Sequence, residues 1–351
     1  MNLTQQQRMI VTAPEDKVYV QAPAGSGKTS CIIERAKLYL RTGVDPSSIA
    51  IITFTNMAAQ EIQTRLEDDY KDGVFIGTIH SLAASFISKH GQGKLIGQLA
   101  SSDNFSKFFQ ICRSYNLHQA YDYILLDESQ DTSEDEAFFI FEMINPSHYF
   151  VVGDNNQHIY GFKGKCYPET VTNYIKNDKA KVYTLTENFR CGESILNFAK
   201  SFLRVIGRRD PSISRTGTYG SIQEVPYSEY TIVDNIMSFD NYIDWAILTR
   251  DNKQLALIQN VLERNDIPYI SFKQSELTFS QLQGLMEKDV VKLLTIHSAK
   301  GLGFKNVIVS GTHWWIKEPE EFRIMYVAAT RAKERLIWMG APKAPARSRR
   351  R

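Results

Sequence analysis

The sequence predicts an α/β protein made of two doubly wound domains, each with a parallel sheet flanked by helices. Three observations carry this reading. Short runs at 18–21, 49–53, 123–126 and 149–152 are apolar at both alternations, as strands covered on both faces are. Helical stretches at 29–41 and 57–69 fall between such runs, the order that builds a parallel sheet. The 351 residues are enough for about two domains of ordinary size.

A second series of strand candidates starts at 182–185. It continues through 222–225, 245–249, 269–272, 290–295, 307–310 and 336–339, with helical stretches at 193–205, 253–265 and 318–331. The expected division is a first domain over 1–184, with a short insertion at about 88–121, and a second domain over 185–340. Residues 207–221 hold glycines and a proline and read as a loop. Residues 341–351 hold two prolines and a run of arginines, and read as a basic tail, either a solvated terminus or a nucleic-acid arm. No internal repeat of short fixed period is visible.

Composition excludes several classes. Hydrophobic residues make up 43% and charged residues 23%, against global disorder. A net charge of +2 neither demands nor excludes a nucleic-acid partner, because a local basic groove fits within a near-neutral protein. Cys31, Cys112, Cys166 and Cys191 form no CxxC pair, so neither a zinc ribbon nor a redox motif is expected. The polar opening MNLTQQQRMI has no signal core, and no apolar run nears the roughly 18 residues of a membrane span. A soluble cytoplasmic protein is the expectation.

Residues 22–29 read APAGSGKT between an apolar strand and a helical stretch, the context of a phosphate-binding loop. Gly25 and Gly27 let backbone N–H groups face a phosphate. Lys28 would neutralise the β- and γ-phosphates, Thr29 would ligate Mg²⁺, and the helix N-terminus favours the anion. The strict pattern begins with Gly, where this chain has Ala22. The expected ATP-binding set is Ala22, Ala24, Gly25, Ser26, Gly27, Lys28, Thr29 and Ser30. The stretch LLDESQD at 125–131 follows a strand, so Asp127 is placed to meet the metal and Glu128 to orient or deprotonate the attacking water. An acidic pair in a loop is more often merely solvated; the phosphate loop is what favours the catalytic reading.

At this point the sequence resembles the UvrD/Rep/PcrA helicases of superfamily 1. The ordered motifs are LTQQQ (3–7), APAGSGKT, TFTNMAAQEI (53–62), GTIHSL (77–82), LLDESQD, VVGDNNQHIYGFKG (151–164), LTENFR (185–190), LLTIHSAKGLGF (293–304) and YVAATRAKERL (326–336). The resemblance implies two RecA-like domains with ATP in a cleft between them. It implies that Gln7 contacts adenine, Gln157 senses the γ-phosphate and the attacking water, and Arg190 and Arg331 reach the γ-phosphate. Two guanidinium groups there would stabilise the transferred phosphoryl charge. Phe189 stands where the family has a ring that stacks on adenine; ordinary core packing is the alternative.

For nucleic acid the resemblance points to Phe54, Thr55, Asn56, His80, Tyr160, Phe162, Thr295 and His297. Rings that stack on bases without reading sequence suit a motor that passes every base. Four departures from the family are visible. Phe162 replaces Trp, Lys163 replaces Arg, and Gly303 stands in place of a Glu expected to contact ribose. The chain is also short, with about thirty residues for the first-domain insertion and about twenty, between Pro268 and Val290, for the second. The resemblance therefore implies an ATP- and Mg²⁺-dependent DNA helicase or 3′→5′ single-strand translocase, acting on single-stranded or tailed duplex DNA, with a possible protein partner supplying accessory surface. The alternatives are a remodeller that strips proteins from nucleic acid, or a non-hydrolysing binding protein, which intact Lys28, Asp127, Glu128, Gln157, Arg190 and Arg331 disfavour.

Overall fold

The computed structural model describes residues 3–66, 72–101, 106–161, 166–238, 241–316 and 318–340. Phe162, Lys163 and the tail 341–351 lie outside the described residues. The chain divides into two compact units, Met1–Pro23 with Gly27–Thr186, and Ala24–Ser26 with Glu187–Arg351.

In the first unit the strands are β1 (Lys17–Gln21), β2 (Ile49–Thr53), β3 (Phe75–Thr78), β4 (Tyr123–Leu126), β5 (His148–Gly153) and β6 (Lys181–Thr184). They form one parallel sheet in the order β3-β2-β4-β5-β1-β6. Alternation divides the side chains between two cores. Val18, Val20, Ile49, Ile51, Leu125, Phe150 and Val152 pack on one face. Tyr19, Ala50, Ile52, Ile124, Leu126, Tyr149 and Val151 pack on the other. Burying each Val, Leu, Ile or Phe among them stabilises the fold by about 1.5–3 kcal/mol, which is why these runs read as apolar.

The strand at 182–185 is a correction to the sequence reading. It does not open the second series; as β6 it pairs with β1, Val18 opposite Lys181, and completes the first sheet. The short insertion expected at about 88–121 contains helices Gly93–Ser101 and Ser106–Cys112. The helix expected at 57–69 is Asn56–Arg65, and residues 67–69 lie outside the described residues.

The second unit contains β7 (Glu187–Asn188), β8 (Ile213–Ser214), β9 (Ser221–Val225), β10 (Trp245–Thr249), β11 (Tyr269–Ile270), β12 (Val291–Thr295), β13 (Phe304–Val309) and β14 (Ala332–Met339). The last six form a parallel sheet in the order β11-β12-β10-β13-β14-β9, while β7 pairs with β8. The stretch 207–221, read as a loop, therefore contains β8 and ends on the first residue of β9. The helix expected to reach Arg331 is Pro319–Ala329; it stops there because Ala332 already begins β14.

The two units repeat local detail that sequence periodicity does not reveal. Thr53 Oγ1, ending β2, donates to Thr55 O at 2.8 Å, and Thr249 Oγ1, ending β10, donates to Asp251 O at 3.2 Å. Thr78 and Thr295 end β3 and β12 and each caps a helix, accepting from Ser81 N at 3.1 Å and Ser298 N at 3.2 Å. These caps satisfy helix N–H groups that would otherwise lack partners.

Candidate nucleotide and nucleic-acid sites

In the first unit the motifs follow the carboxyl ends of parallel strands, the edge where open α/β sheets bind ligands. The glycine loop follows β1, the TFTN segment β2, His80 β3, the Asp127–Glu128 pair β4 and Asp154 β5. Ala22 is held at the start of the loop by its N–H, which donates to Gly153 O at 2.9 Å. Gly27 has φ 83° and precedes helix Lys28–Arg41; a Cβ there would lie 2.6 Å from Gln7 Nε2. Gln7 itself is buried and locked in a capping box with Thr4. Glycine at 27 thus serves two needs, a left-handed turn and close approach of the Gln7 amide.

Lys28 Nζ stands 3.4 Å from Glu128 Oε1, and Thr29 Oγ1 donates to Asp127 Oδ2 at 3.2 Å. Asp127 is buried, and its carboxyl is pushed up to about 7, first by desolvation and then by the charge of Glu128; Lys28 and hydrogen bonds from Glu128 N and Thr29 oppose this. A buried, partly protonated carboxylate beside a hydroxyl is a site that gains from a cation. Mg²⁺ takes few protein ligands and keeps waters and phosphate oxygens, so Thr29 and Asp127 fit it. Among the described residues no group of three His, Cys, Asp or Glu side chains could hold a metal, so the pair would need the phosphates to complete a coordination shell. Arg65, to which the sequence reading gave no role, donates to Ser30 Oγ at 2.9 Å and to Glu61 at 2.9 Å.

The structure adds a buried relay. Gln130 Nε2 donates to Glu128 Oε2, while Gln130 Oε1 accepts from Asp154 N at 2.9 Å. Asp154 accepts from Gln157 Nε2 at 2.9 Å and from Asn156 N at 3.0 Å. Glu128 and Gln157 are therefore linked through Gln130 and Asp154. Both linkers lie within quoted motifs, but spacing gave no signal that residues 24 apart would bond. Glu128 adopts φ 51°, a strained left-handed backbone that turns its side chain at the strand end.

Of the nucleic-acid candidates in this unit, Phe54 and Tyr160 pair with ring centroids 5.1 Å apart. The Tyr160 phenol is pushed up first by burial and then by the charges of Asp131 and Glu128, so both carboxylates lie within electrostatic reach of this ring. Thr55 caps helix Asn56–Arg65, and Asn56 is exposed. His80 lies 3.7 Å from Glu136 and its ring centroid is 5.3 Å from that of Phe109.

In the second unit Asn188 Nδ2 donates to Ala24 O at 2.6 Å, and Phe189 N donates to Gly25 O at 2.9 Å. Ser26 is buried. The Phe189 ring is exposed, which removes the core-packing alternative. Arg190 Nη2 donates to Gly301 O at 3.0 Å. Arg331 is fully buried and donates to Leu302 O at 3.1 Å, Val327 O at 2.9 Å and Thr330 Oγ1 at 3.1 Å. Both arginines thus converge on the 301–303 loop. A Cβ on Gly303 would lie 3.3 Å from Arg190 Nε and 3.3 Å from Lys333 Cε, so a Glu there would begin beside two cations. Thr295 and His297 sit at the carboxyl end of β12, where Gln274 Nε2 donates to Lys300 O at 3.0 Å and to Ser298 O. No helix among the described residues is long and apolar enough to cross a membrane.

Comparison with known proteins agrees with this architecture. Residues 3–116 and 107–177 match the UvrD/REP helicase N-terminal domain, and residues 183–279 and 272–341 match the UvrD-like helicase C-terminal domain. A protein described as "Probable DNA helicase" from Mycoplasma pneumoniae is 26% identical, over 96% of this chain and 83% of its own length. DNA helicase II of Haemophilus influenzae is 25% identical, and the ATP-dependent DNA helicase PcrA of Staphylococcus epidermidis 24%, each over 76% of this chain. The chain spans 51% and 50% of the length of these last two. The alignment with the Mycoplasma protein runs over 461 residues although this chain has 351, so the relative carries internal segments absent here. With both domains of the family present in order, the chain belongs to the UvrD/REP family of ATP-hydrolysing DNA helicases.

Proposed function

We propose that the chain is an ATP-driven motor that moves 3′→5′ along single-stranded DNA and separates duplexes weakly by itself. The observation that carries this reading is the linked set Lys28, Thr29, Asp127, Glu128, Gln130, Asp154 and Gln157 in the first unit. In this reading residues 1–184 form the ATP-binding domain and 185–340 the second, with residues 341–351 as a basic tail. The site serves a cytoplasmic enzyme.

Lys28 and the N–H groups of the glycine loop bind the β- and γ-phosphates of ATP. Mg²⁺, held by Thr29 and Asp127, neutralises phosphate charge when bound. Glu128 takes the proton of the attacking water, oriented by Gln130 on one side and Lys28 on the other. Gln157 sits at the far end of the relay, so a change at the γ-phosphate reaches Glu128 through Asp154 and Gln130. Gln7 and Phe189 hold adenine, and Arg190 and Arg331 stabilise the transferred phosphoryl group. Phe54, Thr55, Asn56, His80, Tyr160, Phe162, Thr295 and His297 hold the strand. The charge of Glu128 reaches Tyr160, which supports communication between the strand and the catalytic water.

The length of the alignment beyond this chain supports reduced accessory insertions. Translocation needs grip and a cycling ATP site; separating strands also needs a surface at the junction, against about 1.4 kcal/mol per base-pair step. The protein is therefore expected to move along single strands but to displace only short duplexes, and a partner protein could supply the missing surface. Single-turnover displacement on 3′- and 5′-tailed duplexes of increasing length tests this. Displacement of short 3′-tailed duplexes that fades with length fits; efficient unwinding of long duplexes, or a preference for 5′ tails, contradicts it.

A further inference from the structure

In the second unit, β12, β10 and β13 are adjacent and parallel, so their carboxyl ends form one row. Thr295 and His297 follow β12 and Arg250 follows β10. Arg250 N donates to Gln254 Oε1 at 3.1 Å, and that oxygen lies 3.2 Å from where a Cβ on Gly311 would stand, in the loop after β13. Gly311 has φ 73°, and its missing Cβ would lie 2.8 Å from the Trp314 indole. Glycine here allows the indole to lie directly on the backbone.

Trp314 is 50% exposed, whereas Trp245, Trp315 and Trp338 are 0%, 7% and 5% exposed. Its ring centroid lies 5.1 Å from that of Tyr227, in the turn after β9, with planes at 49°, and 4.2 Å from that of His313. Three rings of this kind at a ligand-binding edge form an apolar surface that water solvates poorly.

We propose that Trp314, with Tyr227 and His313, is a stacking platform for an unpaired nucleobase, extending along the strand from the site at Thr295 and His297. The proposal rests on the reading of function above. Two features select nucleic acid as the occupant. The rings continue the row of strand-end loops that carries Thr295 and His297. The chain also leaves β14 at Gly340, where a Cβ would lie 2.8 Å from His313 N, and the residues that follow include Lys343, Arg347, Arg349, Arg350 and Arg351 with no acidic residue. Aromatic rings close to the point where a basic sequence begins suit a strand of bases and phosphates, and stacking tolerates any sequence.

The test titrates the full-length chain with a fluorescein-labelled oligo(dT), read by anisotropy, and with an unlabelled one, read by tryptophan emission. Wild type should show quenched emission, and an abasic oligonucleotide of equal length should not quench. Trp314→Ala should weaken oligo(dT) binding about tenfold, the loss of one base stack. Trp314→Phe should keep most of the affinity while losing the quench, and Tyr227→Ala should show an intermediate loss. Wild-type affinity in Trp314→Ala, or a quench that survives in Trp314→Phe, overturns the platform alone. A wild-type chain that binds no oligo(dT) overturns the functional reading and the platform together. If Trp314→Ala changes only the sedimentation of the DNA-free chain, the rings form a protein interface and the proposal fails.

Discussion

Replacing Gln130 by Ala tests the relay that joins Glu128 to Asp154. Gln130 is buried and makes two bonds whose loss has different consequences. Its Nε2 donates to the Glu128 carboxylate, a charge-assisted bond worth about 1.5–3 kcal/mol. Its Oε1 accepts the N–H of Asp154, and stranding that buried donor costs about 1–3 kcal/mol. The two are not simply additive, so a stability loss of about 2–4 kcal/mol is expected, or about 2–4 °C in the Tm of the first unit for each kcal/mol. Catalysis should suffer separately. A positioned general base contributes about 10²–10⁴-fold, and a Glu128 without its Gln130 bond should lose about one to two powers of ten in kcat. ATP affinity, set by the glycine loop and Lys28, should hold. Steady-state ATPase at saturating single-stranded DNA, with thermal melting and binding of a fluorescent ATP analogue alongside, separates these effects. Gln130→Glu, which keeps the size but replaces the donor with a second carboxylate, should show the same fall in kcat. A folded Gln130→Ala chain with wild-type kcat would refute the relay.

Lys28→Ala should lose nucleotide affinity by at least tenfold in the fluorescent-analogue assay, and retained affinity would remove Lys28 from the cradle. Asp127 gives a pH signature. Its folded pKa is raised from 3.8 to about 7, so the folded chain holds the proton more tightly, and the stability it contributes falls as pH rises across that interval. Without metal or nucleotide, Asp127→Asn should therefore melt above wild type by a larger margin at pH 8 than at pH 5; a smaller margin at pH 8 would contradict the burial argument. Arg331 is buried among backbone carbonyls while Arg190 is partly exposed. Arg331→Ala should then lower both Tm and kcat, and Arg190→Ala should lower kcat with little change in Tm; equal Tm losses would count against that division.

The central strands were legible because burial on both faces makes a run apolar at every position, as in β2 and β5. β3 escaped notice because it is a four-residue edge strand, half exposed, with Gly77 inside it. β6 could be read as a strand but not assigned to a sheet, since its partner β1 lies some 160 residues earlier and alternation records burial rather than neighbours. Helix Glu193–Val205 was readable to its ends from its apolar stripe. At the site, Lys28, Thr29, Asp127 and Glu128 were legible because the chemistry demands those types beside a strand end. Gln130 and Asp154 were not, because an amide and a buried carboxylate acting through other residues leave no pattern in spacing. Trp314 lies in none of the motifs, and its exposure is what distinguishes it from Trp315 beside it.

The most direct measurement is steady-state ATP hydrolysis with and without single-stranded DNA, for wild type and for Glu128→Gln. If the proposed strand site and Glu128 are coupled, the chain should hydrolyse ATP slowly alone and at least tenfold faster with DNA. Glu128→Gln should bind ATP and turn over at no more than about a hundredth of the wild-type rate, as expected when a general base is removed. Hydrolysis that ignores DNA, or survives in Glu128→Gln, would contradict the account.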